Sequence, residues 1–309
     1  MSLQLIRPDV NIDFVGKRKF FVLLSTAINI AALLLLIFKG LNYGVDFAGG
    51  TVVQVKFAHE TSANQLRDAL SQLKLGDVTI QDFGSSGFQY LVRFDKVANL
   101  KNFHNLLSDT LDRNFGHGNA NVLRVESVGA RVGKDLRRDA IGAVVVATIF
   151  MGCFIAWEFR NVSWSFGSGA VIALVHDILV VVGALVISQL QFDLTTLAAL
   201  LTVIGYSVHD TIIVSDRIRE DALKRRRDTL PAIMNRAINE TLSRTILTSG
   251  VAIVVLVVLL ALGGPILRPS AFTLLIGFIT GTYSSIYIAG PVVLFWERRV
   301  KIKSLSRAA

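Results

Sequence analysis

The residue in this sequence best placed to do chemistry is Asp210. It lies within residues 194–215, LTTLAALLTVIGYSVHDTIIVS, an otherwise apolar run interrupted by a few hydroxyls and His209. About 20 residues at ~1.5 Å rise span a ~30 Å hydrocarbon core, so the run is long enough to cross a bilayer. A carboxylate near the middle of such a helix costs on the order of 2.5–3.5 kcal/mol on insertion scales, and it is kept where it meets a partner, water or an ion path. A buried carboxyl with water access can be loaded with a proton from one side and emptied to the other. The alternative is a structural carboxylate held by backbone or a nearby cation.

Residues at helical spacing from Asp210 are Val203, Tyr206, Ser207 and Val214, which puts two hydroxyls beside the carboxyl. His209 points about 100° away around the helix and need not share a proton path. Arg244 opens another apolar run, SRTILTSG, where it either snorkels to headgroups or reaches inward toward Asp210. His176 and Asp177 interrupt residues 164–190. They either support Asp210 or form a structural pair bonded to backbone or to Thr195 and Thr196.

The elements that must position these groups are membrane helices. The chain is 52% apolar over 309 residues, and its long apolar stretches predict six spans, at 20–38, 139–157, 164–190, 194–215, 245–263 and 271–296. An even number puts both termini on one side. Basic residues crowd residues 1–19, the 216–244 loop and the 297–309 tail, which predicts that these face the cytoplasm. Positive-inside loops account for the net charge of +9 without nucleic acid as a partner. The first span exceeds a usual signal h-region and is followed by no small-x-small cleavage site, so it reads as a retained anchor. The only cysteine, Cys153, falls in a span, so neither a disulfide framework nor a Cys/His metal cluster is expected. With no nucleophile elbow either, an enzyme is the least favoured class.

Residues 39–138 differ in pattern and are expected outside the cytoplasm. They open with LNYGVDFAGGT, where Asp46 is followed by a tight turn at Gly49 and Gly50. Strand-like residues 51–57, a helix capped by Ser62 and Gln65, strands at 78–83 and 90–94 across the turn 84–87, a helix at 100–115 and a strand at 122–128 give the order βαββαβ. This predicts a ferredoxin-like α+β domain. The run GARVG, Gly129 to Gly133, is expected to be a hinge leading into the second span. In the 216–244 loop, Leu230, Ile233, Met234, Ala237, Ile238 and Leu242 repeat at helical spacing after Thr229 and Pro231, which predicts an amphipathic helix on the inner membrane surface.

Taken together, DFAGG at 46–50, the GARVG neck, VIGYSVHDTIIVSDRIRE ending at Glu220, SRTILTSG at 243–250 and GTYSSIYIAGPV at 281–292 resemble the SecF subunits of the SecD/SecF family, within the resistance-nodulation-division (RND) superfamily. The resemblance covers nearly the whole chain in the same order. It implies a bacterial inner-membrane subunit that pairs with SecD, works at the SecYEG channel with YajC as a further companion, and uses the proton gradient to help draw unfolded secretory polypeptide across. Protons are then the coupling ion and no other cofactor is implied. It places the family's transmembrane aspartate on Asp210 and its functional arginine on Arg244, while His209 stands where the family commonly has Asn. The competing readings are a passive scaffold or insertion factor of the translocon and a small-molecule exporter of the same superfamily. One outer domain of roughly 80 residues leaves little room for the exporter's pocket.

Overall fold

The computed structural model describes residues 11–73, 78–83, 87–94, 100–160, 163–225 and 227–299. Parts of several expectations, namely residues 1–10, the turn at 84–86, Arg226 and the tail from 300 to 309, lie outside them. The chain divides into two compact units, one formed by residues 1–42 with 142–309 and the other by 43–141.

The 43–141 unit is built on a four-stranded antiparallel sheet. A short helix, α2 (Val45–Ala48), carries Asp46 and ends at Gly49, whose φ of +73° suits glycine; β1 (Gly50–Phe57) begins at once. Then follow α3 (Ala63–Ser71), β2 (Val78–Asp82), β3 (Gln89–Phe94), α4 (Leu100–Phe115) and β4 (Ala120–Val128), with strand order β2-β3-β1-β4. This is the expected βαββαβ order. The capping box forms as the residue types require, Ser62 accepting from the Gln65 amide and Gln65 from that of Ser62. Alternation along β1 buries Val53, Val55 and Phe57 against Leu66, Leu70, Leu107 and Leu111 of the two helices, with Tyr90, Val92 and Phe94 from β3 completing one closed core.

The other unit is helical. Among the described residues six helices are long and apolar enough to cross a membrane, so the chain is a multi-pass membrane protein. They are α1 (Arg18–Phe38), α5 (Ala130–Glu158), α6 (Ser165–Ser188), α7 (Leu194–Lys224), α8 (Leu230–Leu262) and the run formed by α9 (Gly264–Ser284), a π-helical turn (Ser285–Ala289) and α10 (Gly290–Arg299). Helices α6, α7 and α9 are the most enclosed, while α1 and α8 expose apolar side chains along much of their length.

Three expectations are corrected. The segment 230–244 is not a separate helix on a membrane surface: α8 is continuous over 33 residues. Its apolar face, Ile233, Met234, Ala237, Ile238 and Leu242, is buried in the same core as Ile218 and Ala222 of α7 and Val293 and Leu294 of α10. No glycine or proline separates the two halves before Gly250, so nothing stops the helix. The connection expected at 263–270 shrinks to the junction at Gly263, because Gly264 takes φ +75° and Pro265 starts α9 immediately. The hinge over 129–133 is mostly helix, since α5 begins at Ala130. A side chain at 133 would come within 3.0 Å of the Gly49 nitrogen and 3.2 Å of the Phe47 carbonyl, so Gly133 permits close packing rather than bending.

The start of the chain is also anchored more firmly than a lead-in. Asn239 on α8 accepts from the Ile12 amide and donates to its carbonyl, at 2.8 and 2.9 Å. Asn235, one turn earlier, accepts from the amides of Phe14 and Val15 at 2.9 and 3.2 Å. Two asparagines four residues apart thus stand in for a neighbouring strand, and Phe14 and Val15 are buried in the helical core.

Candidate functional site

The carboxyl of Asp210 is buried, 4% exposed, and both its oxygens are occupied. Thr245 of α8 donates to Oδ1 at 2.9 Å, and Ser285, the first residue of the π turn, donates to Oδ2 at 2.6 Å. Small residues make this approach possible. Gly277, Gly281 and Ser285 recur every four residues along one face of the last helix, opposite Val203, Ser207 and Asp210 of α7. A Cβ on Gly277 would lie 2.1 Å from Val203 Cγ2, and one on Gly281 would lie 3.1 Å from Ser207 Cβ. The wider π turn falls just before Pro291, which has no N–H for the Tyr287 carbonyl and whose ring crowds it, so the hydrogen-bond ladder resets there.

The hydroxyls expected beside Asp210 serve other partners. Ser207 donates to Asp177 Oδ2 at 2.6 Å, and Tyr206 donates to Ser249 at 2.9 Å while its ring stacks on Phe278 at 3.7 Å. Ser249 in turn pairs with Thr282 at 2.7 Å, giving a three-helix hydroxyl cluster one turn from Asp210. Tyr206 and Ser207 lie within about one helical turn of Asp210 along the sequence. Their bonds were set by α6 and α8, which a single-helix reading leaves out.

Arg244 is exposed, and among the described residues no ion pair joins it to Asp210. Its neighbour Thr245, about 100° around α8, holds the carboxyl instead. His209 is exposed on the other side of α7 from the buried face. His176 and Asp177 are both buried, 3.0 Å apart from Nδ1 to Oδ1, and Ser284 donates to Asp177 Oδ2 at 2.8 Å. Thr195 and Thr196, the alternative partners, instead donate to Asp193, whose carboxylate caps α7. Thr245, Ser284 and Ser285 are site residues to which the spacing around Asp210 does not point. The signal was their place beside Arg244 and inside the SS of GTYSSIYIAGPV.

A cavity lies against the site, lined among others by Thr211, Ser215 and Ile218 of α7, Met234 and Ile238 of α8, and Ser285. It extends from the Asp210 donor toward the Lys224 end of α7. Among the described residues no group of three His, Cys, Asp or Glu could hold a metal ion. What the arrangement offers, among the described residues, is a carboxyl held by neutral hydroxyls of two neighbouring helices, with polar groups on one side and a cavity on the other.

In the 43–141 unit, Arg93 of β3 donates to the carbonyls of Tyr43 and Gly49 at 3.1 and 3.3 Å, and Arg137 sits 4.4 Å over the Tyr43 ring. These contacts fix the segment around Asp46, Gly49 and Gly50. Gly129 precedes α5, and a side chain there would meet open space.

Residues 108–299 match the family described as Protein export membrane protein SecD/SecF, C-terminal, and residues 34–60 match the SecD/SecF GG Motif. The chain is 43% identical over 297 residues to Protein translocase subunit SecF of Calditerrivibrio nitroreducens, covering 94% of this chain and 96% of that one. It is 41% identical over 295 residues to the same subunit of Desulfurispirillum indicum, covering 93% and 92%. It is also similar to the crystal structure of SecDF, a translocon-associated membrane protein, from Thermus thermophilus, with a TM-score of 0.85 and 32% identity. That match covers 97% of this chain and 40% of the SecDF chain, so the present chain spans well under half of that protein.

Proposed function

Because the chain belongs to the SecD/SecF family of protein-export membrane proteins, as a SecF-type subunit of the protein translocase, we propose that it couples the proton-motive force to export of unfolded polypeptide and that Asp210 carries the proton. The observation that carries this reading is the buried Asp210 carboxyl, held by Thr245 and Ser285 with no buried cation beside it among the described residues. An ionised carboxylate accepts from both hydroxyls; a protonated one becomes a donor and loses acceptor strength. Ser285 Oγ already has the Thr282 carbonyl at 2.9 Å, so it can leave the carboxyl without stranding its own proton. Protonation would therefore loosen the π turn and α8 from α7.

The energies are comparable. One elementary charge crossing ~100 mV supplies ~2.3 kcal/mol, and a hydrogen bond to a charged group contributes ~1.5–3 kcal/mol. One proton can therefore offset the loss of one such bond and shift a balanced equilibrium. We orient the chain with both termini in the cytoplasm of the bacterial inner membrane, so that the cavity at Ser285 opens inward and the Tyr206, Ser249 and Thr282 hydroxyls lie outward. A rotation of α8 by about one residue would turn Arg244 toward Asp210, which gives that cation a role in the loosened state. The motion would pass along α5, a single helix from Ala130 to Glu158, rather than bend at 129–133. We further propose that a SecD subunit supplies the second half of the transporter, that the pair works at SecYEG, with YajC as a further companion, and that protons are the only coupling ion.

The test is export into membrane vesicles with and without a proton gradient, with Asp210→Asn and wild type assembled at equal abundance with SecD. The gradient-dependent part of export should vanish in the variant while ATP-driven export persists. Full gradient response in Asp210→Asn would instead make the chain a passive scaffold of the translocon.

A further inference from the structure

Asp177 is a buried carboxylate, 1% exposed, that the proton path above does not use. We propose that it is a positioning residue for Asp210, acting through Ser207 and the Ser284–Ser285 pair; this rests on reading Asp210 as the proton carrier. Its Oδ2 accepts from Ser207 of α7 at 2.6 Å and Ser284 of α9 at 2.8 Å, and its Oδ1 lies 3.0 Å from His176 Nδ1. The groups facing it or its histidine are Ser207 from α7, Ser284 and Tyr283 from α9 and, beyond the tyrosine, Ser25 from α1. The Tyr283 ring stacks on His176 at 5.8 Å and its hydroxyl lies 2.7 Å from Ser25. Among the described residues neither lysine nor arginine is buried with it.

Simple helix packing does not call for such a group. Apolar residues of similar volume pack as well as buried charges or better, because the charges must first be desolvated. The arrangement of its partners gives Asp177 a different role. Ser284 and Ser285 are consecutive, so their side chains diverge by roughly 100° and reach two different carboxylates from one turn. Ser207 and Asp210 are three residues apart on one face of α7. A closed ring results: Asp177, Ser207, one turn of α7, Asp210, Ser285, one peptide unit, Ser284 and back to Asp177. Fixing Ser284 on Asp177 therefore fixes where the π turn presents Ser285 to Asp210. Both serines also have a fallback acceptor, the Gly281 carbonyl 3.2 Å from Ser284 Oγ and the Thr282 carbonyl 2.9 Å from Ser285 Oγ. Weakening Asp177 as an acceptor lets Ser284 retire to Gly281, and Ser285 then loses its register on Asp210.

The test is infrared difference spectroscopy between high and low pH on the full chain assembled with its partner subunit in lipid vesicles, with the Asp210 carboxyl band identified by its loss in Asp210→Asn. Asp177→Asn and Ser284→Ala should each displace that band and move its titration midpoint by about one pH unit, tenfold in proton affinity, at unchanged abundance. An unchanged band and midpoint in both assembled variants overturns the proposal and leaves Asp177 as packing. Should Asp177→Asn fail to assemble, Ser284→Ala and Ser207→Ala, which each remove one hydroxyl, decide by the same reading. The band reports Asp210 itself, so an undisplaced band sinks this inference alone, whereas gradient-driven export that survives Asp210→Asn sinks the proposed function and with it the part of Asp177 in proton carriage, even if the band is displaced. A spectrum from which Asp210→Asn removes no band overturns both.

Discussion

At the scale of single residues, the site depends on which hydroxyl meets which carboxylate. Thr245 and Ser285 each give Asp210 one hydrogen bond, but only Ser285 belongs to the turn that also answers to Asp177. Removing a hydrogen bond to a charged group, ~1.5–3 kcal/mol, alters the balance of protonated and ionised carboxyl by roughly 10- to 100-fold. Thr245→Val and Ser285→Ala are therefore expected to cut the gradient-dependent part of export about tenfold or more in the vesicle assay while ATP-driven export and abundance hold. Export kinetics identical to wild type in both would show that these bonds only satisfy a buried acid. Asp210 itself was legible in the sequence because a lone carboxylate in an apolar run is conspicuous. Its donors were not, because they come from helices remote in sequence and their neighbours of similar polarity point elsewhere.

At the scale of elements, the long helices are what bring these groups together. Helix α8 carries three features on one continuous rod: the Asn235 and Asn239 clamp on residues 12–15, the buried inner face, and Thr245. Its first half carries Leu230, Ile233, Met234, Ala237, Ile238 and Leu242 at helical spacing, the pattern expected of an amphipathic helix on a membrane surface. The same pattern describes a helix that buries one face against protein and shows the other to water, and Glu240 in fact pairs with Arg217 of α7. Asn235→Ala leaves the Phe14 and Val15 amides without their acceptor, at a cost of ~1–3 kcal/mol for buried donors. It should lower the thermal midpoint of the detergent-solubilised chain by a few degrees and speed tryptic cleavage at Lys17 and Arg18. Unchanged cleavage would mean the start of the chain is held by Phe14 and Val15 burial alone.

At the scale of the whole molecule, the chain is two units with separate cores. The 43–141 unit closes its own core and is expected to fold alone; residues 43–128 should show one cooperative urea transition, and a gradual one would mean that it needs the membrane unit. Tyr90 gives this transition a pH signature. Its hydroxyl donates to the Thr61 carbonyl, and burial, reinforced by the negative charges of Asp82 and Glu60, pushes its pKa above the ordinary tyrosine value. A group whose folded pKa is raised adds stability that is complete below the unfolded value, about 10, and disappears as pH rises through the folded value. The urea midpoint should therefore fall above about pH 10. Tyr90→Phe should remove that fall and cost ~0.5–1.5 kcal/mol at neutral pH.

Six apolar helices, the βαββαβ order, the turn at Gly49 and Gly50 and the acid at 210 are legible in the amino-acid sequence alone. These are local properties: run length against bilayer thickness, period 2 against period 3.6, and the conformational freedom of glycine. Only the tertiary structure decided that α8 is unbroken, that Gly133 is a packing glycine, that Thr245 rather than Arg244 touches Asp210, and that Ser207 turns to Asp177. Each of these depends on which helix lies opposite and how closely small residues let it approach, and periodicity within one segment carries no information about its neighbour.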